Sequence, residues 1–143
     1  MIGFLIAILS GALMSVQGVF NTQVTKVAGI WISNGWAQLT ALAVCIVAWL
    51  FTGRDSVMEL MKVEPRYLLL GGVLGAGITW SVIKSVEQLG PAKSALLIVM
   101  SQLLVSYLIE LMGMFGIEKE PLEWRKVAGM GLALIGVAIF QWK

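Results

Sequence analysis

The sequence predicts an all-α integral membrane protein of five transmembrane helices, and three observations carry that prediction. Apolar residues fall into five separate stretches, at least four of them long enough to cross a bilayer, whose hydrocarbon core takes about 20 residues of helix. Hydrophobic residues make up 59% of the chain and charged residues 13%, which is more apolar surface than a soluble domain of 143 residues can bury. No stretch alternates apolar and polar residues as a lipid-facing barrel strand would. The helix remains as the element that satisfies its own backbone polar groups inside lipid.

The spans follow in order, as one domain over 1–143. The first covers about 2–24 and is closed by Lys26. No basic residues precede it and no A-x-A-like site follows, so it is expected to be retained and not removed as a signal peptide. The second covers about 30–51, bounded by Gly53, Arg54 and Asp55. A charged loop leads through Glu64-Pro65-Arg66 to the third span, about 67–88, which stops before the helix-breaking pair Gly90-Pro91. The fourth covers about 92–115. The polar connector Glu118-Lys119-Glu120-Pro121 then precedes the fifth, about 124–142. Trp31, Trp124 and Trp142 stand near span ends, where an aromatic belt is expected.

Five spans put the termini on opposite sides of the membrane. Arg54, Lys62, Arg66, Lys119, Arg125 and Lys126 fall on the N-terminal side, and Lys26, Lys84, Lys93 and Lys143 on the other. Six against four favours a cytoplasmic N-terminus only weakly, and leaves both orientations open to one chain.

The inventory for catalysis is thin. The single cysteine, Cys45, lies in mid-span and can build neither a disulfide framework nor a cysteine metal site. The chain has no histidine, the commonest metal ligand and neutral-pH base. It has no glycine-rich phosphate loop, no nucleophile elbow and no carboxylate pair at catalytic spacing. The net charge of +2 is spread over short loops and forms no basic patch. The expectation is a protein that is not an enzyme, with no cofactor, no metal and no nucleic-acid partner.

Polar side chains inside the spans are costly and carry the functional reading. In the first span Ser10, Met14, Gln17 and Asn21 share one stripe at helical spacing. Asn34, Gln38 and Cys45 repeat the pattern in the second span, and Gln102, Ser106 and Glu110 step by four in the fourth. The third carries Thr79, Trp80, Ser81, Lys84 and Glu87 towards its end; Lys84 and Glu87 can pair at i,i+3. Two readings fit the stripes. Interhelical hydrogen bonds hold membrane helices together at about 0.6–2 kcal/mol each and need no cavity. Alternatively, amides from several helices line one shared polar space. Glu110 is either a wetted acid near a helix end or a carboxylate that handles protons or cations. Trp36 and Trp80 lie deeper than the belt, as packing residues or as flat walls for a solute. Gly71-x-x-x-Gly75 in the third span and Gly129, Ala133 and Gly136 in the fifth have the small-residue spacing of helix-pairing seams.

Taken together, several of these segments resemble the YdcZ-like family of small five-helix proteins of the drug/metabolite transporter superfamily. The resemblance covers essentially the whole length. It rests on Gln17 with Asn21, on Gly71-Gly72-Val73-Leu74-Gly75, and on the turn Leu89-Gly90-Pro91-Ala92. It rests further on Ser101-Gln102-Leu103-Leu104 through Glu110 to Gly113-Met114-Phe115-Gly116, followed by Arg125-Lys126-Val127-Ala128-Gly129. The family commonly has aspartate where this chain has Glu110. The resemblance implies a multi-pass transporter of the bacterial inner membrane, moving a small polar or organic metabolite. It also implies an antiparallel pair, formed by one dual-topology chain or by two oppositely oriented paralogues. The weak charge bias agrees with such pairing. The four-helix small multidrug resistance relatives use a glutamate in their first helix; this chain has none there, so proton-for-cation exchange is not expected by that route unless Glu110, the only deep acid, substitutes. Alternating access is the expected mechanism, with Gln17, Asn21, Asn34, Gln38, Trp36, Trp80, Gln102, Ser106 and Glu110 along the pathway. A small channel and a non-transporting scaffold or accessory subunit are the alternatives. The expected partners are the bilayer, the solute and the second chain.

Overall fold

The computed structural model describes residues 1–53 and 55–142, and among these there are helices and connecting loops but no strand. Five α-helices follow one another: α1 Ile2–Ala28, α2 Ile30–Thr52, α3 Gly71–Leu89, α4 Pro91–Met112 and α5 Trp124–Gln141. Short 3-10 segments lie at Val57–Lys62, Arg66–Leu70 and Met114–Gly116. The second of these runs directly into α3, giving one helical stretch over Arg66–Leu89.

Four stretches are long and apolar enough to cross a membrane: Ile2–Ala28, Ile30–Thr52, Arg66–Leu89 and Pro91–Met112. The sequence predicts five. The fifth helix, α5, has 18 residues, which include Arg125, Lys126 and Gln141, and it is not among these four. Within the four apolar stretches no more than 11% of the central window is buried by the chain itself. Large apolar side chains such as Phe4, Phe20, Val44 and Leu132 stand open. A surface of this kind has to be covered by lipid or by another apolar surface.

Helix ends depart from the sequence expectation for identifiable backbone reasons. The first helix runs to Ala28, past Lys26, and a single residue, Gly29, separates it from α2. Gly29 has φ 82° and ψ 160°, a region that only glycine occupies without strain. Its N–H donates to the Thr25 carbonyl at 2.9 Å. The same device recurs at Gly90, with φ 80° and ψ 163° and its N–H on the Val86 carbonyl at 3.0 Å. Pro91 then opens α4, at the helix position where a missing N–H does no harm. Each turn glycine is followed four residues later by a fully buried serine, Ser33 and Ser94. The fourth span ends at Met112, not near 115. Gly113 takes a left-handed conformation (φ 65°), and Phe115 follows with φ 57°, so the apolar Met114-Phe115 pair cannot prolong the helix.

The chain divides into two compact units, Met1–Pro91 and Ala92–Lys143. In the first, α1, α2 and α3 pack on one another. Helix α1 lies close to α3 at Gly18, where an added Cβ would be 3.1 Å from Val82 Cγ1. Gly18 and Thr22 are both buried, one turn apart, and form the seam of small residues that lets α1 come close. The Thr22 hydroxyl donates back to the Gly18 carbonyl at 2.7 Å, so its burial leaves no donor unmet. In contrast, Gly71, Gly129 and Gly136 have nothing within 4 Å of an added Cβ among the described residues.

In the second unit the link from α4 to α5 folds back on the helix ends. Glu120 N–H donates to the Glu110 carbonyl at 3.0 Å, capping α4, and Glu123 N–H donates to the Tyr107 hydroxyl at 3.1 Å. Lys126 gathers the acids of this end: its Nζ donates to Glu120 and lies 3.6 Å from Glu123, 3.8 Å from Glu110 and 5.7 Å from the centre of the Tyr107 ring. Lys126→Met leaves three carboxylates facing one another. It is expected to lower the melting temperature, and the loss should shrink as salt is added, because exposed charges are screened. A loss independent of salt would mean that the aliphatic stem, not the charge, holds this end.

Candidate functional site

The first unit contains a groove of about 850 Å³ between α1 and α2. Helix periodicity builds it. From α1 come Ser10, Met14, Gln17, Phe20, Asn21 and Val24, and from α2 come Trp36, Thr40, Val44 and Cys45, each set along one helix face. The walls are mostly apolar. The Thr40 hydroxyl is already engaged with the Trp36 and Ala37 carbonyls at 2.9 and 3.1 Å. Across α1 from the groove, a second space of about 40 Å³ opens towards α3, lined by Gln17, Gly18, Asn21, Thr79 and Val82 among others. It is large enough for a single water. Gln17 and Asn21 therefore border both spaces.

The amides of this unit divide into two pairs with different employment. Asn34 is buried, at 3% exposure, and its Nδ2 donates to the Ala76 carbonyl of α3 at 2.9 Å. Gln38 Nε2 donates to the Thr79 hydroxyl at 3.2 Å and more distantly to Asn34 Oδ1 at 3.5 Å. Thr79 in turn donates to the Gly75 carbonyl at 3.0 Å. This is an α2–α3 clasp, so Asn34 and Gln38 take the interhelical bonding role, and neither lines the groove. Gln17 and Asn21 are different. Neither side-chain amide has a hydrogen-bond partner among the described residues, and both residues line the groove. The main-chain carbonyl of Asn21, by contrast, accepts from the Thr25 and Ser33 hydroxyls at 2.8 Å each.

Asn34→Leu is thus expected to lower stability by about 1–2 kcal/mol, the worth of a buried interhelical amide bond in a membrane protein. Unfolding of the purified protein in mixed detergent micelles measures it. No change in stability would mean that the clasp holds nothing.

Trp36, 60% exposed, forms part of the groove, but Trp80 lines neither space. Gln102 and Ser106 are exposed on α4 in the second unit. Glu110 stands in the last turn of α4 within the Lys126 cluster, its side chain 41% exposed, as an acid at a helix end. Lys84 donates to Glu87 at 2.9 Å on its own helix, as their spacing allows. Sequence reasoning passed over Ser33, Gly18 and Thr40. Gly18-x-x-x-Thr22 is the same small-residue signal that drew attention to Gly71 and Gly75. Nothing in the sequence marked Ser33 beyond its place four residues after a turn glycine.

Long apolar helices that the chain itself leaves almost wholly uncovered define an integral membrane protein. The chain belongs to the family described as "Putative inner membrane exporter, YdcZ", whose profile matches residues 2–139. No curated protein and no solved structure matches the chain.

Proposed function

We propose that this protein is an exporter of the drug/metabolite transporter superfamily that moves a small polar or organic metabolite across the bacterial inner membrane by alternating access. The observation that carries the reading is the pair of unengaged amides, Gln17 and Asn21, in a groove of about 850 Å³ along the middle of α1. An amide in mid-membrane without a partner is unfavourable unless something arrives to bond it, and a solute shedding its hydration is such a partner.

In this proposal all five helices span, α5 included, with Trp124 and Trp142 near the two interfaces. Two chains insert in opposite orientations and pair, giving ten helices with two inverted copies. Two inverted copies have two near-equivalent states that face opposite sides, which is the physical basis of alternating access. The near balance of basic residues between the two sides supports dual insertion, and the open faces at Gly71, Gly129 and Gly136 are available for close approach of a second chain. The partner is an identical chain or an oppositely oriented paralogue.

Uptake into everted membrane vesicles tests the reading. Vesicles containing the protein, given a metabolite extract, are expected to accumulate a subset of solutes saturably over vesicles without it. Equal contents in both would favour a scaffold, and uptake that never saturates would favour a channel. Orientation is read separately. A cysteine at position 2 in a Cys45→Ser background, treated in intact cells with an impermeant thiol reagent, is expected to label as two populations. A single population would rule out dual topology for this chain and require a paralogue.

A further inference from the structure

The groove between α1 and α2 is lined by no acid and no base. Its hydrogen-bonding capacity is concentrated at Gln17 and Asn21, one turn apart and so about 6 Å along the helix. Around them stand the flat or branched apolar surfaces of Phe20, Trp36, Val24 and Val44. A charged solute entering such a place gives up its hydration and meets no counter-charge, a large unfavourable change. An uncharged one loses far less. Carboxamides carry a donor and an acceptor side by side, and they pair best with a ligand edge that carries the same two functions. Trp36, 60% exposed, offers a broad ring face to a planar ligand beside that edge.

We propose that the solute is uncharged and largely planar, with an amide-like edge that pairs with Gln17 and Asn21 while its apolar body packs against Trp36 and Phe20. The inference rests on the groove being the transport site, and it adds the ligand's charge and shape.

Cys45 supplies a built-in reporter, because it lines the groove, is exposed, and is the one cysteine of the chain. The protein in lipid nanodiscs is treated with N-ethylmaleimide, and labelling is followed by intact mass. Benzamide, benzoate and benzamidinium share one planar outline and differ in charge. Benzamide is expected to slow Cys45 labelling at a concentration about tenfold lower than either charged analogue needs. In Gln17→Leu that protection is expected to vanish, and in Gln17→Glu the preference is expected to pass to benzamidinium. Protection by benzoate or benzamidinium equal to that by benzamide would overturn the uncharged class while leaving the groove as a binding site. A reactive Cys45 that none of the three protects would overturn the inference as well. A Cys45 that does not react even without ligand would mean that lipid or a second chain fills the groove, and the transport-site reading would fall with the inference.

Discussion

Gln17→Leu is expected to reduce transport about tenfold or more at sub-saturating solute while leaving the folded protein intact. The amide has no hydrogen-bond partner among the described residues and Gln17 lines the groove, so removing it breaks no bond of the fold. Its stability should therefore change by no more than about 0.5 kcal/mol, the range of substitutions away from buried features. What is lost is the bond to solute, worth about 1–3 kcal/mol when its absence leaves the ligand's own polar group unpaired in an apolar place. The contrast with Asn34→Leu makes the prediction sharp. One position should show lost flux with normal stability, and the other lowered stability through the broken α2–α3 clasp. If both variants lose stability together and flux only in proportion, Gln17 is a packing residue and the groove is incidental.

The second large effect concerns the turn between α1 and α2. Gly29→Val is expected to destabilise the protein by about 3 kcal/mol, because φ 82° with ψ 160° is open to glycine alone and a β-branched side chain is the worst fit there. Relief of the strain would have to break the Gly29 N–H to Thr25 bond and shift α2 against α1, which also displaces Ser33 from the Asn21 carbonyl. Folded yield in membranes and unfolding midpoint in detergent should both fall. Gly35→Ala is the matching control. Gly35 sits within α2, has no neighbour within 4 Å of an added Cβ and has an ordinary helical φ, so alanine there should be neutral or mildly stabilising. Equal effects at the two positions would contradict the turn geometry.

The helices were legible because hydrophobic length and the breaks at Gly53 and Gly90-Pro91 are strong local signals. Their ends were less so. Met114 and Phe115 read as a continuation of the fourth span because they are apolar, whereas the left-handed Gly113 stops the helix at Met112. The first helix reaches Ala28 because one glycine suffices as a link, which composition does not reveal. At the site, helical spacing puts Asn34, Gln38 and Cys45 on one face and Gln17 with Asn21 on another. Spacing fixes a face but not the neighbour it meets. So it could not show that one pair is bonded to α3 while the other borders a groove with Cys45 and Thr40. The glycines teach the same point. Gly18 and Gly71 carry equivalent spacing signals, yet of the two only Gly18 has a helix against it among the described residues.

The groove as the solute's path is tested most directly by measuring flux through the wild-type protein in liposomes before and after Cys45 is alkylated with a bulky maleimide. Cys45 stands in the wall opposite Gln17, so an adduct there occupies the space a solute needs. Flux is expected to fall to the level of empty liposomes, and excess solute present during alkylation is expected to preserve it. Full flux from completely alkylated protein would contradict the account.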